Sequence, residues 1–278
     1  MSEDKYVIDP SDGMLAEVVG LWVVEEKHER LTRYINASRG ARKKFADNGR
    51  AGFIDLFCGP GRIMVRDTGE FHDGGALAAC RIAREEGVPF NQVHIGDIEQ
   101  NLLDICIKRL ESRGENVFPY CGPAGDTSST VASGIDPYGL YFSYLDPYNL
   151  ENLPFDTIRN LSKIKRMDML IHVSVQDLQR NLERYYKAEK SPLDVFCPGW
   201  REAVGDRAAF NSSMRAAIHG HWKRLIDECG MAPSKADELV TEGKNQRLYW
   251  LVFVSRHDLA EKLWNEIRNL KKQGELRL

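Results

Sequence analysis

Between Phe53 and Val175 the chain repeats one pattern, a short apolar run that stops at a turn and is followed by residues at helical spacing. The runs are Phe53–Phe57, Val93–Ile95 with Asp97 just beyond it, Val117–Tyr120, Leu140–Leu145 and Met167–Val175. Ala76–Glu86, Asn101–Arg113 and Phe155–Lys165 read as the intervening helices. Leu77, Cys80, Ile82 and Ala83 give the first an apolar side, and Leu102, Ile105, Cys106 and Leu110 the second. Strands buried on both faces read as continuous apolar runs, and parallel strands need a crossover to bring the chain back. The alternation therefore predicts an α/β fold with a mostly parallel sheet and helices on both faces. Arg247–Ser255 adds a last strand, and Asp258–Lys271 a closing helix with Leu259, Leu263, Trp264 and Ile267 on one side.

The flanks read as helical. From Leu15 to Arg39, Val18, Leu21, Trp22, Leu31, Tyr34 and Ile35 recur at helical spacing, with Gly40 as the stop. Arg42, Lys43 and Lys44 read as a solvated face, so residues 15–45 form an N-terminal helical segment. Residues 178–245 carry no strong strand signal and read as a helical insertion or cap over the sheet's carboxyl edge. A chain of 278 residues, 42% hydrophobic, can bury a full core without disulfide or metal staples. Residues 1–278 are accordingly expected to form one domain.

Six cysteines lie far apart with no CxxC pair, which argues against a zinc ribbon or a redox pair and for small buried hydrophobes. The polar start MSEDKY has no basic segment followed by an apolar run, and no apolar stretch is long enough to span a bilayer. A reduced, cytoplasmic protein with no membrane partner is the expectation. A net charge of −3 offers no global pull on nucleic acid, although a local basic patch remains compatible with it.

In an open parallel sheet, ligands bind beyond the carboxyl ends of the strands. The first strand here ends in Asp55-Leu56-Phe57-Cys58-Gly59-Pro60-Gly61-Arg62. Gly59 and Gly61 let the backbone turn tightly and approach a ligand, while Pro60 removes a donor. The loop lacks the Lys-Ser/Thr of a phosphate loop and the third glycine of a dinucleotide fingerprint. Asp55 ahead of such a turn suits a nucleoside bearing a cationic amino acid. Asp97, at the end of the second strand, is placed to accept both ribose hydroxyls. The fourth strand ends in Asp146-Pro147-Tyr148, where a carboxylate can accept from an amino group and an aromatic can stack on a flat substrate. The plainer reading of Asp-Pro-Tyr is a strand-ending turn.

Taken together, Phe53–Arg62, Gly96–Leu103, Leu145–Leu150, Asp168–Asn181, the Glu26-Lys27-His28…Tyr34 helix and Leu248–Trp264 resemble the bacterial three-Cys-motif partner proteins. FIDLFCGPGR and LDPYNL are the strongest parts, and the resemblance spans most of the chain. It implies the Rossmann-like fold of class I S-adenosylmethionine-dependent methyltransferases and that cofactor. Asp55, Phe57, Gly59 and Gly61 would line the methionine side, and Asp97 would hold the ribose. The third-strand turn, Cys121-Gly122-Pro123-Ala124, departs from the family's acidic adenine contact, leaving Asp126 as the substitute. Asp146 and Tyr148 become the catalytic candidates, on a nucleic-acid or nucleotide-like substrate. The family name also implies a second reading, a non-catalytic protein that docks an iron–sulfur or radical-type partner bearing a three-cysteine motif.

Other residues read more plainly. Cys58 lies in the glycine loop and reads as packing, and His219 and His221 as exposed helix or turn residues without metal-ligand spacing. Arg180, past the fifth strand, can clamp a phosphate or carboxylate of the substrate, or pair with Asp177 on the surface. Arg184-Tyr185-Tyr186-Lys187, Trp200-Arg201 and Trp222-Lys223-Arg224 fit a base-stacking surface, or an amphipathic cap with its aromatics turned inward.

Overall fold

The computed structural model describes residues 5–205, 210, 212–235, 237–242 and 246–275. The chain opens with strands β1 (Tyr6–Ile8) and β2 (Leu15–Val19), then a π-helical turn, Val23–His28, that runs into α1 (Glu29–Ala37) and α2 (Arg39–Ala46). Next come β3 (Ala51–Asp55), a hairpin of β4 (Arg62–Val65) and β5 (Phe71–Asp73), and α3 (Gly75–Glu85). Regular alternation follows: β6 (Gln92–Asp97), α4 (Gln100–Ser112), β7 (Val117–Cys121), α5 (Ala124–Gly134), β8 (Leu140–Leu145), α6 (Phe155–Leu161) and β9 (Met167–Ser174). The cap comprises α7 (Val175–Lys187), α8 (Pro192–Phe196), α9 (Trp200–Val204) and α10 (Ser212–Glu228). Short strands β10 (Ala232–Pro233) and β11 (Glu238–Glu242) lead to β12 (Gln246–Ser255) and the last helix, α11 (Asp258–Glu275).

The large sheet runs β7-β6-β3-β8-β9-β12, with β10 and β11 both paired to β12. From β7 to β9 every pair is parallel, and β12 joins β9 antiparallel, Leu251 opposite His172. This is the expected α/β, Rossmann-like architecture. The chain leaves β3 toward β6 and β7, then returns to β8 on the other side of β3. That reversal opens a crevice at the carboxyl ends of β3, β6 and β8.

Alternation along the central strands sends neighbouring side chains to two cores. Ile54, Met169, Ile171, Val173, Val252 and Val254 enter one, with α5, α6 and the cap. Phe53, Leu170, Leu251 and Phe253 enter the other, with α1, α3, α4 and α11. Trp200 and Trp222 of the cap and Trp264 of α11 are fully buried, so the inward-facing reading of the cap aromatics holds.

Several expectations need correction. The helix expected from Leu15 starts only at the π turn. Leu15-Ala16-Glu17-Val18-Val19 instead forms a β-branched strand with Ala16 turned inward, and Gly20 ends it. With β1, β4 and β5 it builds a second, four-stranded sheet, β2 pairing parallel with β4. Gly40 lies inside α2, and the break between the first two helices falls at Ser38. Arg42 is buried rather than solvated, donating to the carbonyls of Val88 and Ile35. The 178–245 segment includes strands β10 and β11, and its residues 206–209, 211, 236 and 243–245 lie outside the described ones. His219 packs against Trp250, ring centroids 4.2 Å apart, with Asp237 at 3.3 Å. Cys58, Cys80, Cys106 and Cys197 are buried as expected, whereas Cys121 is exposed. No helix of the described residues is long and apolar enough to cross a membrane.

Candidate active site

A cavity of about 1030 Å³ opens at the sheet's carboxyl edge, lined by the glycine loop, Asp97, the 146–152 segment, the π turn and α7. The loop is folded by its own backbone. Cys58 donates to the carbonyl of Gly96, Gly61 to that of Cys58, and Gly74 returns after the β4–β5 hairpin to donate to the carbonyl of Gly61 at 2.7 Å. Both loop glycines hold positive φ, Gly59 +53° and Gly61 +79°, where a side chain is strained. They face opposite ways. A Cβ on Gly61 would meet Leu77 Cδ1 at 2.6 Å and Cys106 Sγ at 3.0 Å, so Gly61 serves helix packing. A Cβ on Gly59 would find nothing nearer than Glu17 Oε2 at 3.8 Å, so Gly59 keeps a face of the cavity clear.

Asp97 ties this loop to the second strand. Its Oδ2 accepts from the Gly59 amide (3.0 Å) and its Oδ1 from the Glu99 amide (2.9 Å). A carboxylate oxygen can accept about twice, so each retains capacity toward the cavity. Asp55 is 2% exposed and lines the same space, accepting from the Phe57 amide at 3.0 Å. Burial pushes its pKa up to about 8, against the lowering effect of that amide. Glu17 of β2 also lines the cavity, and burial raises its pKa as well, as it does that of Asp97. The cofactor side thus gathers three carboxylates, with Lys5 Nζ 3.9 Å from Glu17 Oε1. Beyond Asp97 the wall turns apolar, with Ile98 60% exposed beside Leu102, Pro123 and Ala124.

The floor gathers side chains from three elements. Asp146, just past β8, sits 2.6 Å from Lys27 Nζ and 2.8 Å from His172 Nδ1 of β9, both at Oδ1. The Tyr144 hydroxyl donates to Oδ2 at 3.1 Å. The imidazole contact is close but lies outside hydrogen-bond alignment. Burial alone would raise the Asp146 pKa, but Lys27 and His172 outweigh it and hold the carboxylate below its usual range. Lys27 is buried, its ammonium 5.0 Å from the Trp22 ring and 5.4 Å from that of Tyr249. Beside it His28 lines the cavity, 7% exposed, with no hydrogen bond or ion pair from its ring among the described residues. Burial first, and the Lys27 charge second, push both His28 and His172 down to about 4, so each imidazole is neutral near pH 7. The π turn delivers Lys27 and His28; such wide turns are rare and recur at functional sites.

Asp55, Phe57, Gly59, Gly61, Asp97, Asp146, Tyr148 and Arg180 all line this one cavity. Asp126 is not among the lining residues: it is exposed in the first turn of α5, two residues past Ala124, which is. Tyr148 stands 77% exposed at the rim, with Lys5 Nζ 4.8 Å from its ring centroid, rather than packed beside Asp146. Asp146 is at the floor, but both its oxygens are engaged within the chain, so it is the hub of a cluster and not a free acceptor. The alternative pairing of Asp177 with Arg180 does not form. Asp177 accepts from the Leu150 amide, Asn181 and the Tyr185 hydroxyl instead. Glu17 was not singled out from sequence, and Lys27 and His28 entered only as part of the Glu26-Lys27-His28…Tyr34 resemblance, with no role assigned. Only the β-branched pair Val18-Val19 hints at a strand around the first, and nothing local marks a buried lysine.

No protein-family model matches the chain, and no curated protein matches it. Among solved structures it is similar to M. jannaschii TYW2 in complex with AdoMet, at 10% identity and a TM-score of 0.45, covering 92% of this chain and 87% of that one. It is also similar to an S-adenosylmethionine-dependent methyltransferase from Clostridium acetobutylicum, at 11% identity and a TM-score of 0.39, covering 84% and 94%. A SAM-dependent methyltransferase from Aquifex aeolicus follows at 12% identity and 0.37, covering 74% and 82%.

Proposed function

We propose that the protein is an S-adenosylmethionine-dependent methyltransferase acting on a nucleic-acid or nucleotide-like acceptor. The observation that carries this is the acidic pocket around Gly59. Asp55, Glu17 and Asp97 are held there with burial raising each pKa, and Asp55 faces no ion-pair partner among the described residues. Lys5 pairs with Glu17 alone, so a ligand bearing a sulfonium and an ammonium would supply positive charge beside Asp55. A ribose fits the spare acceptor capacity of Asp97, and a flat base fits the wall of Ile98, Leu102 and Pro123. The residues present therefore suit the cofactor, with apolar contact in place of the acidic adenine contact.

When bound, that cofactor supplies an electrophilic methyl group. The chain's own part is to exclude water and manage a proton. Trp22, Tyr144 and Tyr249 line the floor, Asp146 and Lys27 fix it, and the neutral ring of His28 is free to take a proton from an acceptor lying there. Alignment of the reactants accounts for most of the rate in such a scheme.

Calorimetric titration with S-adenosylmethionine tests the reading. Binding should be lost in Asp97→Ala. Because a cation beside Asp55 favours its carboxylate, binding at neutral pH should also release a proton, seen by repeating the titration in buffers of different ionisation enthalpy. Asp55→Asn should abolish that release. No binding by the folded parent would sink the proposal.

Under this reading the finer resemblance, to three-Cys-motif partner proteins, also stays a proposal, together with a three-cysteine-motif binding partner and a cytoplasmic location. It is supported by the fact that residues of both FIDLFCGPGR and LDPYNL line the cavity.

A further inference from the structure

The part of the cavity lining supplied by α7 has a different character. Gln176, Asp177, Arg180, Asn181 and Arg184 of α7 line the cavity, positions that helical spacing sets along one side. The single carboxylate in that row is already used: the Leu150 amide donates to Asp177 Oδ2 at 3.1 Å, while Asn181 (2.8 Å) and the Tyr185 hydroxyl (2.5 Å) donate to Oδ1. Ser174 caps the helix and keeps Asp177 in its first turn. Arg180 and Arg184 are both exposed, and neither forms an ion pair with a described residue. Arg184 lies over the Tyr185 ring, 5.3 Å from its centroid, which steadies the guanidinium at the cavity's edge. The segment after β8 contributes Asn149, Asn152 and the exposed ring of Tyr148, with Lys5 beside it.

We propose that this rim is the phosphate-binding subsite for a single-stranded nucleic acid, an inference that rests on the methyltransferase reading above and names its substrate class. Arg180 and Arg184 stand one helical turn apart, about 6 Å between Cβ atoms, and so present two anion sites in a row. Arginine forks suit phosphate oxygens, and the Tyr148 ring, exposed with Lys5 over one face, offers its other face as a stacking platform for a neighbouring base. A lone phosphate would use neither the second arginine nor the ring. A base held in a duplex cannot reach the Trp22–Tyr249 floor, whereas an unpaired one can. Carboxylates thus gather around Gly59 for the cationic cofactor, and two arginines along the edge of α7 for the anionic strand. Glu151, exposed on the segment after β8 and also lining the cavity, works against the strand.

Fluorescence anisotropy of a short labelled single-stranded RNA, titrated with the full chain across a salt series, tests this. Arg180→Glu with Arg184→Glu should weaken binding about tenfold or more and lower the log–log salt slope by roughly 1.4, two single-strand phosphate contacts. Tyr148→Ala should weaken it about fivefold or more at an unchanged slope, and Glu151→Gln should tighten it. S-adenosylmethionine binding, measured on the same samples, should be retained in all of these variants. An unchanged slope in the double arginine variant would overturn the subsite. So would a duplex bound as tightly as the single strand, or binding of mononucleotides, inorganic phosphate or a phosphopeptide but not of the strand. Cofactor binding without RNA binding removes this inference alone, and RNA binding without cofactor binding removes the methyltransferase reading alone.

Discussion

Lowering the pH from 6.5 toward 4 should unfold the protein steeply, and the steepness can be worked out from five side chains. Burial pushes His28, His94, His172 and His219 down to about 4 from the 6.5 of a free imidazole. Unfolding returns each to its ordinary value, so between these limits the unfolded chain binds up to four protons that the native one refuses. Asp55 works in the opposite sense. Held up at about 8, it keeps in the native state a proton that an unfolded carboxyl loses above about 4. Four less one leaves three protons in favour of the unfolded state. At ~1.4 kcal/mol per proton per pH unit, stability should fall by about 4 kcal/mol for each unit of acidification near pH 5. Burial also raises Glu17, Asp97 and Asp168, which trim the slope, while Asp9, Asp12, Asp73, Asp146 and Asp194 are held low and steepen it as the pH nears 4, so the three protons describe the region near pH 5. Domains are stable by only about 5–15 kcal/mol, so two such units exhaust much of the reserve. Urea midpoints with two-state fits at pH 6.5, 6, 5.5 and 5 would measure the slope. His94→Gln, away from the cavity, should flatten it by ~1.4 kcal/mol per unit. A parent slope of one proton or fewer, or a His94→Gln slope equal to the parent's, would refute the reasoning.

Two further outcomes are expected. Lys27→Met strips Asp146 of its ammonium and should destabilise the fold by about 3 kcal/mol in chemical denaturation, much of it regained by adding Asp146→Asn. Because the Lys27 charge helps depress His28 and His172, both rings should titrate at higher pH in Lys27→Met by NMR. The loop glycines should separate. Gly61→Ala drives a methyl into Leu77 and should cost about 2–4 kcal/mol of stability. Gly59→Ala should cost about 1–2 kcal/mol while weakening S-adenosylmethionine binding, since its Cβ enters the cavity.

The main sheet was legible because its strands are apolar on both faces and stop at turns, a signal that depends only on local order. Asp55, Gly59, Asp97 and Asp146 were legible for the same reason: each ends a recognisable strand or its loop, and strand ends in such a sheet converge. What escaped notice depends on partners far away in sequence. Residues 15–19 end in the β-branched pair Val18-Val19, yet Val18, Leu21 and Trp22 also satisfy a helical spacing, and only pairing with β4 decides between them. Helix α5 is built from Ser, Thr and Gly with little apolar side, and its packing against α6, not its propensity, holds it. Lys27 and Arg42 look like solvated cations until Asp146, or the carbonyls of Val88 and Ile35, are brought to them.

Arg109 of α4 has a consequence for the order in which the site is made. It is buried, chelates both oxygens of Asp12 (2.7 and 2.9 Å), and donates at 2.7 Å to the carbonyls of Leu15 and Pro60. One guanidinium thus rivets the opening strands to the glycine loop. Yet it is translated some ninety residues after the strands it secures. During vectorial synthesis the segment bearing Glu17 must wait, unlatched, until α4 has left the ribosome, and only then can the pocket close around Gly59. The earliest part of the cavity wall to be synthesised is among the last to be fastened. A ribosome stalled before residue 109 should display a nascent chain whose opening strands are still open to protease.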